Sequence, residues 1–256
     1  MTTTALGRMS ALGRAELTLL LRNRSAMVTA LLLPPVLVLS AKRLFDGMSS
    51  LDEAGFSVGE MLVTAGFGLI LTMTVYTTLV ASYVTRREEL VLKRLRTGEA
   101  SDAQILASTA LPVATLALAQ ITLLLLVGVG YLDVSAPARP DLLVAGVVLG
   151  LLLIVLASAA TTIVTKTTES AQVTVMPVLI VTMMTSGMLT PLDALPDTMG
   201  QICRLMPLTP SVELLQAGLQ GGMDGTEVLR ALGVSLAWAV AAGYAVNRWF
   251  RWEPRQ

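Results

Sequence analysis

The chain contains no histidine and a single cysteine, Cys203. Without imidazole there is no Ser–His nucleophile and no His-Glu-x-x-His zinc site. One thiol builds neither a disulfide framework nor a cysteine metal site. Lysine is scarce too: Lys42, Lys93 and Lys166 follow Ala41, Leu92 and Thr165. A phosphate loop needs glycine before its lysine, so that backbone N–H groups can close on the phosphates. No lysine here offers one, so any ATP used must be bound, with its Mg, by another chain. No cofactor and no metal is expected on this one. Charge is also sparse, at 14% of residues, and 18 basic side chains cancel 18 acidic ones. Soluble domains carry about 25% charged residues. A neutral chain has no bulk attraction for nucleic acid.

What the chain does have is apolar length. Hydrophobic residues make up 54% of it, and the mean hydropathy is +0.72. Crossing about 30 Å of hydrocarbon takes roughly 20 apolar residues in a helix. Segments near 25–41, 61–84, 104–132, 142–164, 171–189 and 228–246 meet or approach that length. Backbone in lipid must bond to itself, so the expected fold is an all-α membrane protein with six transmembrane helices. The first is expected to kink at Pro34-Pro35. No small-residue cleavage pattern follows it, so it reads as a retained span rather than a signal. No Asp or Glu lies near the middle of a span, which removes a paired-carboxylate membrane protease and weakens a proton-coupled carrier. The polar residues inside the spans, such as Thr72, Thr77, Gln120, Ser158, Thr161, Thr162, Thr174 and Thr185, read as contacts between helices rather than as ligands.

Basic residues set the orientation. An even number of spans puts both termini on one side. That side holds Arg8, Arg14, Arg22 and Arg24, then Arg86, Arg87, Lys93, Arg94 and Arg96, then Lys166, and finally Arg248, Arg251 and Arg255. Only Lys42, Arg43, Arg139, Arg204 and Arg230 fall on the other. Both termini are therefore expected in the cytoplasm of a multi-pass cell-membrane protein. Over 1–24, Leu6, Met9, Leu12, Leu17 and Leu20 recur at helical spacing among the arginines. This pattern predicts a helix lying in the membrane interface.

Two connections stand out. Over 85–98, Val91, Leu92 and Leu95 form a small apolar stripe, Glu89 and Lys93 sit at i,i+4 spacing, and Gly98 supplies a stop. Ser101-Asp102-Ala103-Gln104 then reads as a capping box opening the third span. The spacing predicts a short amphipathic cytoplasmic helix that either lies on the bilayer or docks into a partner. Over 186–227, Pro196 and Thr209-Pro210 mark the starts of two short helices, and Gly221-Gly222 ends the second. Met188, Leu192, Met199, Ile202, Leu205 and Leu214 make this segment too apolar for a solvated loop. It is expected to dip into the outer leaflet or cover the mouth of a cavity.

Together these features resemble the permease subunit of type-2 ABC exporters (ABC-2 permeases), over essentially the whole chain, 1–256, as one transmembrane domain. The resemblance rests on size, span number, the basic N-terminal helix and two local motifs. One is Arg87-Glu88 followed by Leu92-Lys93-Arg94-Leu95-Arg96-Thr97. The other is Ser186-Gly187, Pro191, Leu195-Pro196 and Met206-Pro207-Leu208-Thr209-Pro210. Gly98-Glu99-Ala100 departs from the family pattern, which often has proline after the threonine. The resemblance implies that Arg87, Glu88, Leu92, Lys93, Arg94 and Leu95 belong to a coupling helix seated in an ATPase. It also implies that Gly187, Pro191, Pro196, Pro207, Thr209 and Pro210 belong to external re-entrant helices gating the exit. The implied assembly is a half-transporter: two permease copies, expected as a homodimer through the first and fifth spans, with two ATP-binding subunits. Its cargo would be an amphipathic or lipid-like compound or drug. A secondary carrier or channel that needs no ATPase is the competing reading.

Overall fold

The structure is a computed structural model that describes residues 24–45, 57–97, 101–188, 192 and 195–253. The interfacial helix expected over 1–24 lies outside these residues, Arg24 apart, as do Gly98 and the gate residue Pro191. Among the described residues every regular element is helical.

The helices are α1 (Arg24–Phe45), α2 (Val58–Leu69), a π-helical segment (Ile70–Tyr76), α3 (Thr77–Glu88), α4 (Val91–Arg96) and α5 (Asp102–Tyr131). They continue as α6 (Pro140–Thr161), α7 (Thr168–Thr185), α8 (Asp197–Arg204), α9 (Thr209–Gln220) and α10 (Gly225–Trp249). α2, the π segment and α3 run on as one 31-residue rod, Val58–Glu88. This rod, α5, α6 and α10 are long and apolar enough to cross a membrane. α1 and α7 occupy the first and fifth expected positions. α1 carries Pro34, Pro35, Lys42 and Arg43. α7 opens with polar Thr168-Glu169-Ser170 and holds Pro177, so its apolar stretch is short.

Local chemistry explains the starts. Ser101 and Gln104 form the expected capping box at α5. Thr167 with Ser170 and Asp224 with Glu227 do the same for α7 and α10. Each box pairs two backbone donors that the helix itself leaves open. Pro140 opens α6 at its first position, where no N–H is needed. At α9 the expectation is displaced by one residue: Leu208 is the cap and Thr209 is already helical. Thr209 Oγ1 donates instead to the Thr185 carbonyl, at 3.2 Å.

The 31-residue rod is the centre of the packing. Phe67, Ile70, Leu71, Val75, Tyr76, Leu79 and Val80 are fully buried. At the rod's waist the Thr77 N–H bonds to the carbonyl of Thr72, five residues back, the π pattern. In lipid, helices gain little by hiding apolar area from one another, so close packing carries the association. Small residues permit it. A Cβ on Gly146 would lie 2.7 Å from the Leu215 nitrogen, and one on Gly218 would lie 2.5 Å from the Leu143 nitrogen. α9 therefore lies antiparallel along the first half of α6, backbone against backbone. The Arg139 N–H, at the cap of α6, donates to the Gly218 carbonyl at 3.0 Å.

The threonines and serines of the spans correct one expectation. Most bond to their own helix: Thr72 to Gly68, Ser158 to Ile154, Thr174 to Ser170 and Thr185 to Val181. A hydroxyl in a helix finds the carbonyl one turn back before it finds a neighbour. Thr161 bonds its own helix at Ala157 and also meets the Tyr76 hydroxyl of the rod at 2.9 Å.

Candidate functional site

The rod does not run smoothly into α4. It ends at Glu88, and Leu90 then adopts a left-handed conformation, φ 59° and ψ 14°. A side chain in that region costs about 1–2 kcal/mol, so the surrounding contacts must hold the break in place. The Leu90 N–H bonds to the Arg87 carbonyl at 3.1 Å, and the Leu90 carbonyl accepts from the Arg94 N–H at 3.0 Å. The expected continuous amphipathic helix over 85–98 is thus two helices meeting at a corner. The i,i+4 pair does not form, because Glu89 sits before the corner and Lys93 after it. Lys93 pairs instead with Glu253, at 2.8 Å.

The expected coupling residues divide into two groups. Arg87 is 1% exposed and Leu92 is fully buried, within this chain itself. Arg87 donates to the carbonyls of Thr162 at 2.9 Å, Thr165 at 2.6 Å and Lys166 at 3.1 Å. These carbonyls lie at and just beyond the last turn of α6. Glu88 accepts from the Thr168 N–H at 3.2 Å and from the Thr168 hydroxyl. Leu95 is half-buried, whereas Glu89, Leu90, Lys93, Arg94 and Arg96 are exposed. The apolar stripe assigned to a partner groove is therefore used largely at home: Leu92 packs into this chain's own core, and Lys93, Arg94 and Arg96 face outward.

The C-terminal tail completes this surface. Phe250 meets Tyr83 edge-on at 6.5 Å and Trp252 at 4.9 Å. The Arg96 guanidinium lies 5.1 Å from the Trp252 ring centre. The hydrogen bond from Lys93, and then its charge, hold the exposed Glu253 carboxyl below the usual carboxylate range. No local periodicity pointed to Phe250, Trp252 or Glu253. The only signal was aromatic density in a short basic tail.

At the other end of the rod, α9 presents Glu213 between two arginines. Arg204 of α8 approaches it at 3.3 Å and Arg230 of α10 at 3.2 Å. Burial pushes the Glu213 carboxyl up, opposed by Arg230 and then Arg204. Gln220 donates to Glu60 at 2.6 Å, tying α9 to the start of the rod. These residues border a cavity of about 350 Å³, which Met61, Thr64 and Gln216 also line. Sequence reasoning missed this triad. The available signal was Arg204, Glu213 and Arg230 spaced along a mostly apolar stretch that also holds Asp224 and Glu227.

The expected gate residues are only partly gathered there. Gly187 takes φ 75°, and the Leu192 side chain lies 3.2 Å from where its Cβ would be. Thr209 and Pro210 are buried at the start of α9, Pro207 is half-buried and Pro196 caps α8. α8 buries Gly200 and Cys203 and exposes Met199 and Ile202. Among the described residues no group of three His, Cys, Asp or Glu could hold a metal ion.

The family model described as ABC-2 family transporter protein covers residues 41–246. No curated protein matches the chain.

Proposed function

Because the chain belongs to the ABC-2 transporter family, we propose that it is the membrane half of an ATP-driven exporter of amphipathic or lipid-like compounds. Membership makes it a membrane permease of an ABC transporter, a transport subunit that in this family normally works with an ATP-binding subunit. The finer reading has α1 and α7 joining the four longer helices as spans. α8 and α9 are external re-entrant helices, and both termini are cytoplasmic. Two copies pair through α1 and α7. Leu32, Val36 and Leu37 of α1 and Val173, Met176, Ile180 and Met184 of α7 are exposed apolar side chains, which supports that pairing.

The observation that carries the coupling is the outward face of α4. Leu90, Lys93 and Arg94 stand exposed beyond the end of the rod, on a helix anchored by a fully buried Leu92. An ATPase working from outside this chain needs a rigid handle, and α4 is a handle fixed to the most buried span. ATP and Mg would sit on that partner, present in two copies.

The test is purification of the tagged chain with its candidate ATPase, followed by reconstitution in vesicles. A stoichiometric complex with ATP-dependent movement of a lipid-like cargo is expected. Transport that proceeds without any ATPase, driven by an ion gradient, would replace this reading with that of a secondary carrier.

A further inference from the structure

We infer that Arg87 and Glu88 form the joint through which movement of α4 reaches α6 and α7, rather than a contact with the ATPase. This inference rests on the reading of α4 as the ATPase-facing handle, and it assigns these two residues a different task within it.

The geometry is specific. Arg87 and Glu88 are adjacent in sequence and opposite in charge. Arg87 binds the Thr162 carbonyl at the C-cap of α6 and the Thr165 and Lys166 carbonyls in the turn that follows. Glu88 binds the Thr168 N–H and hydroxyl, at the first residue of α7. A helix presents partial negative charge at its C-terminus and partial positive charge at its N-terminus. The dipeptide therefore straddles the α6–α7 turn with each charge on the matching helix end. Two residues later the chain turns the left-handed corner at Leu90 into α4. The path from the outward face of α4 to two further helices is thus three residues long, and hydrogen bonds mark every step. Coupling between sites needs an element that both sites bias, and this turn is gripped from the α4 side by two charges at once.

Burial argues against the alternative for Arg87, while Glu88, which is exposed, is already committed to Thr168. A side chain 1% exposed cannot also serve as a docking contact without leaving its three carbonyls. Lys93 and Arg94 remain outside for that task.

The experiment uses the full chain with its ATPase in vesicles and reads three quantities: ATPase copurification, ATP hydrolysis and cargo moved per ATP. Glu88→Gln keeps the shape and removes the charge at α7. Thr168→Val removes the hydroxyl from the other side of the same contact. Both are expected to copurify with the ATPase at normal stoichiometry while cargo per ATP falls at least about fivefold, as for loss of a typical coupling energy. Glu88→Asp is expected to restore part of the ratio. The double variant Lys93→Glu, Arg94→Glu should instead abolish copurification, separating docking from transmission. Arg87→Gln is expected to uncouple as well. If it fails to fold, the Glu88 and Thr168 variants decide alone. Wild-type cargo per ATP in both Glu88→Gln and Thr168→Val overturns the inference. So does loss of copurification in either, since that makes the pair a docking contact. Absence of any ATPase on the wild-type chain overturns the proposed function instead.

Discussion

At the α4 end of the rod a buried arginine is held by backbone carbonyls. At the α9 end a half-buried glutamate is held by two arginine side chains. The acceptors of Arg87 are main-chain carbonyls of the α6 cap and of the turn after it, which cannot swing aside as a side chain can. Arg204 and Arg230 are 30% and 34% exposed, beside a cavity. They can release Glu213 and be solvated where they stand. One end is built to transmit and the other to let go. That division suits the exporter proposed above, in which work would be supplied at one face and cargo would leave by the other.

Four measurements would break or sharpen this contrast. The largest effect is expected from Arg87→Ala. It leaves several buried carbonyls without a donor, and each such group costs about 1–3 kcal/mol. Poor insertion, or a loss of at least about 3 kcal/mol in detergent unfolding, is the expected result. A thermal melt matching wild type would erase the contrast. Next is Gly218→Val, which drives side-chain atoms into the Leu143 backbone of α6. Overpacking costs about 1–3 kcal/mol and should lift α9 away, exposing cysteines placed along its buried face to thiol reagents.

Glu213→Gln is expected to change stability little, by less than about 1 kcal/mol, because the charge it removes is itself penalised by burial and its partners are partly in solvent. Burial raises this carboxyl. Its ionised form thus carries a folding penalty, present above the raised value and relieved as pH falls through it towards the ordinary range. Acidification should separate α8 from α10 in wild type, read as a spin-label distance, without destabilising the chain through this residue. The Gln variant should lack that pH dependence. The smallest effect belongs to Glu253→Ala. Its carboxyl is lowered by Lys93, so its contribution is present above the ordinary carboxylate value and lost as pH falls through the lowered one. An exposed pair contributes little, and no resolvable change in melting is expected.

The apolar runs made the long helices readable, because 20 residues without charge permit little else. The Ser101–Gln104 box was equally plain, since both partners lie within one turn. What failed was non-local. Arg87 and Thr165 are 78 residues apart, and no pattern in either segment names the other. Leu92 and Leu95 looked like one stripe for one partner. Only the corner at Leu90 shows that Leu92 turns inward. The Glu213 triad draws on three separate helices, so it exists only once they are assembled. Thr161 and Thr174 look alike in sequence and both bond their own helix, yet only Thr161 also meets a neighbouring one.

The wide turn at Ile70–Tyr76 is, in effect, a length of spare chain kept in the middle of the longest rod. A π turn holds one residue more than an α turn spanning the same rise. Were that surplus passed along towards Ser57, the residues it crossed would rotate by about 100° and shift by about 1.5 Å, with every carbonyl still paired after the move. The rod then works as a screw with one thread of play. The Arg87 end would keep its grip while the residues crossed, Glu60 among them, turned away from partners such as Gln220.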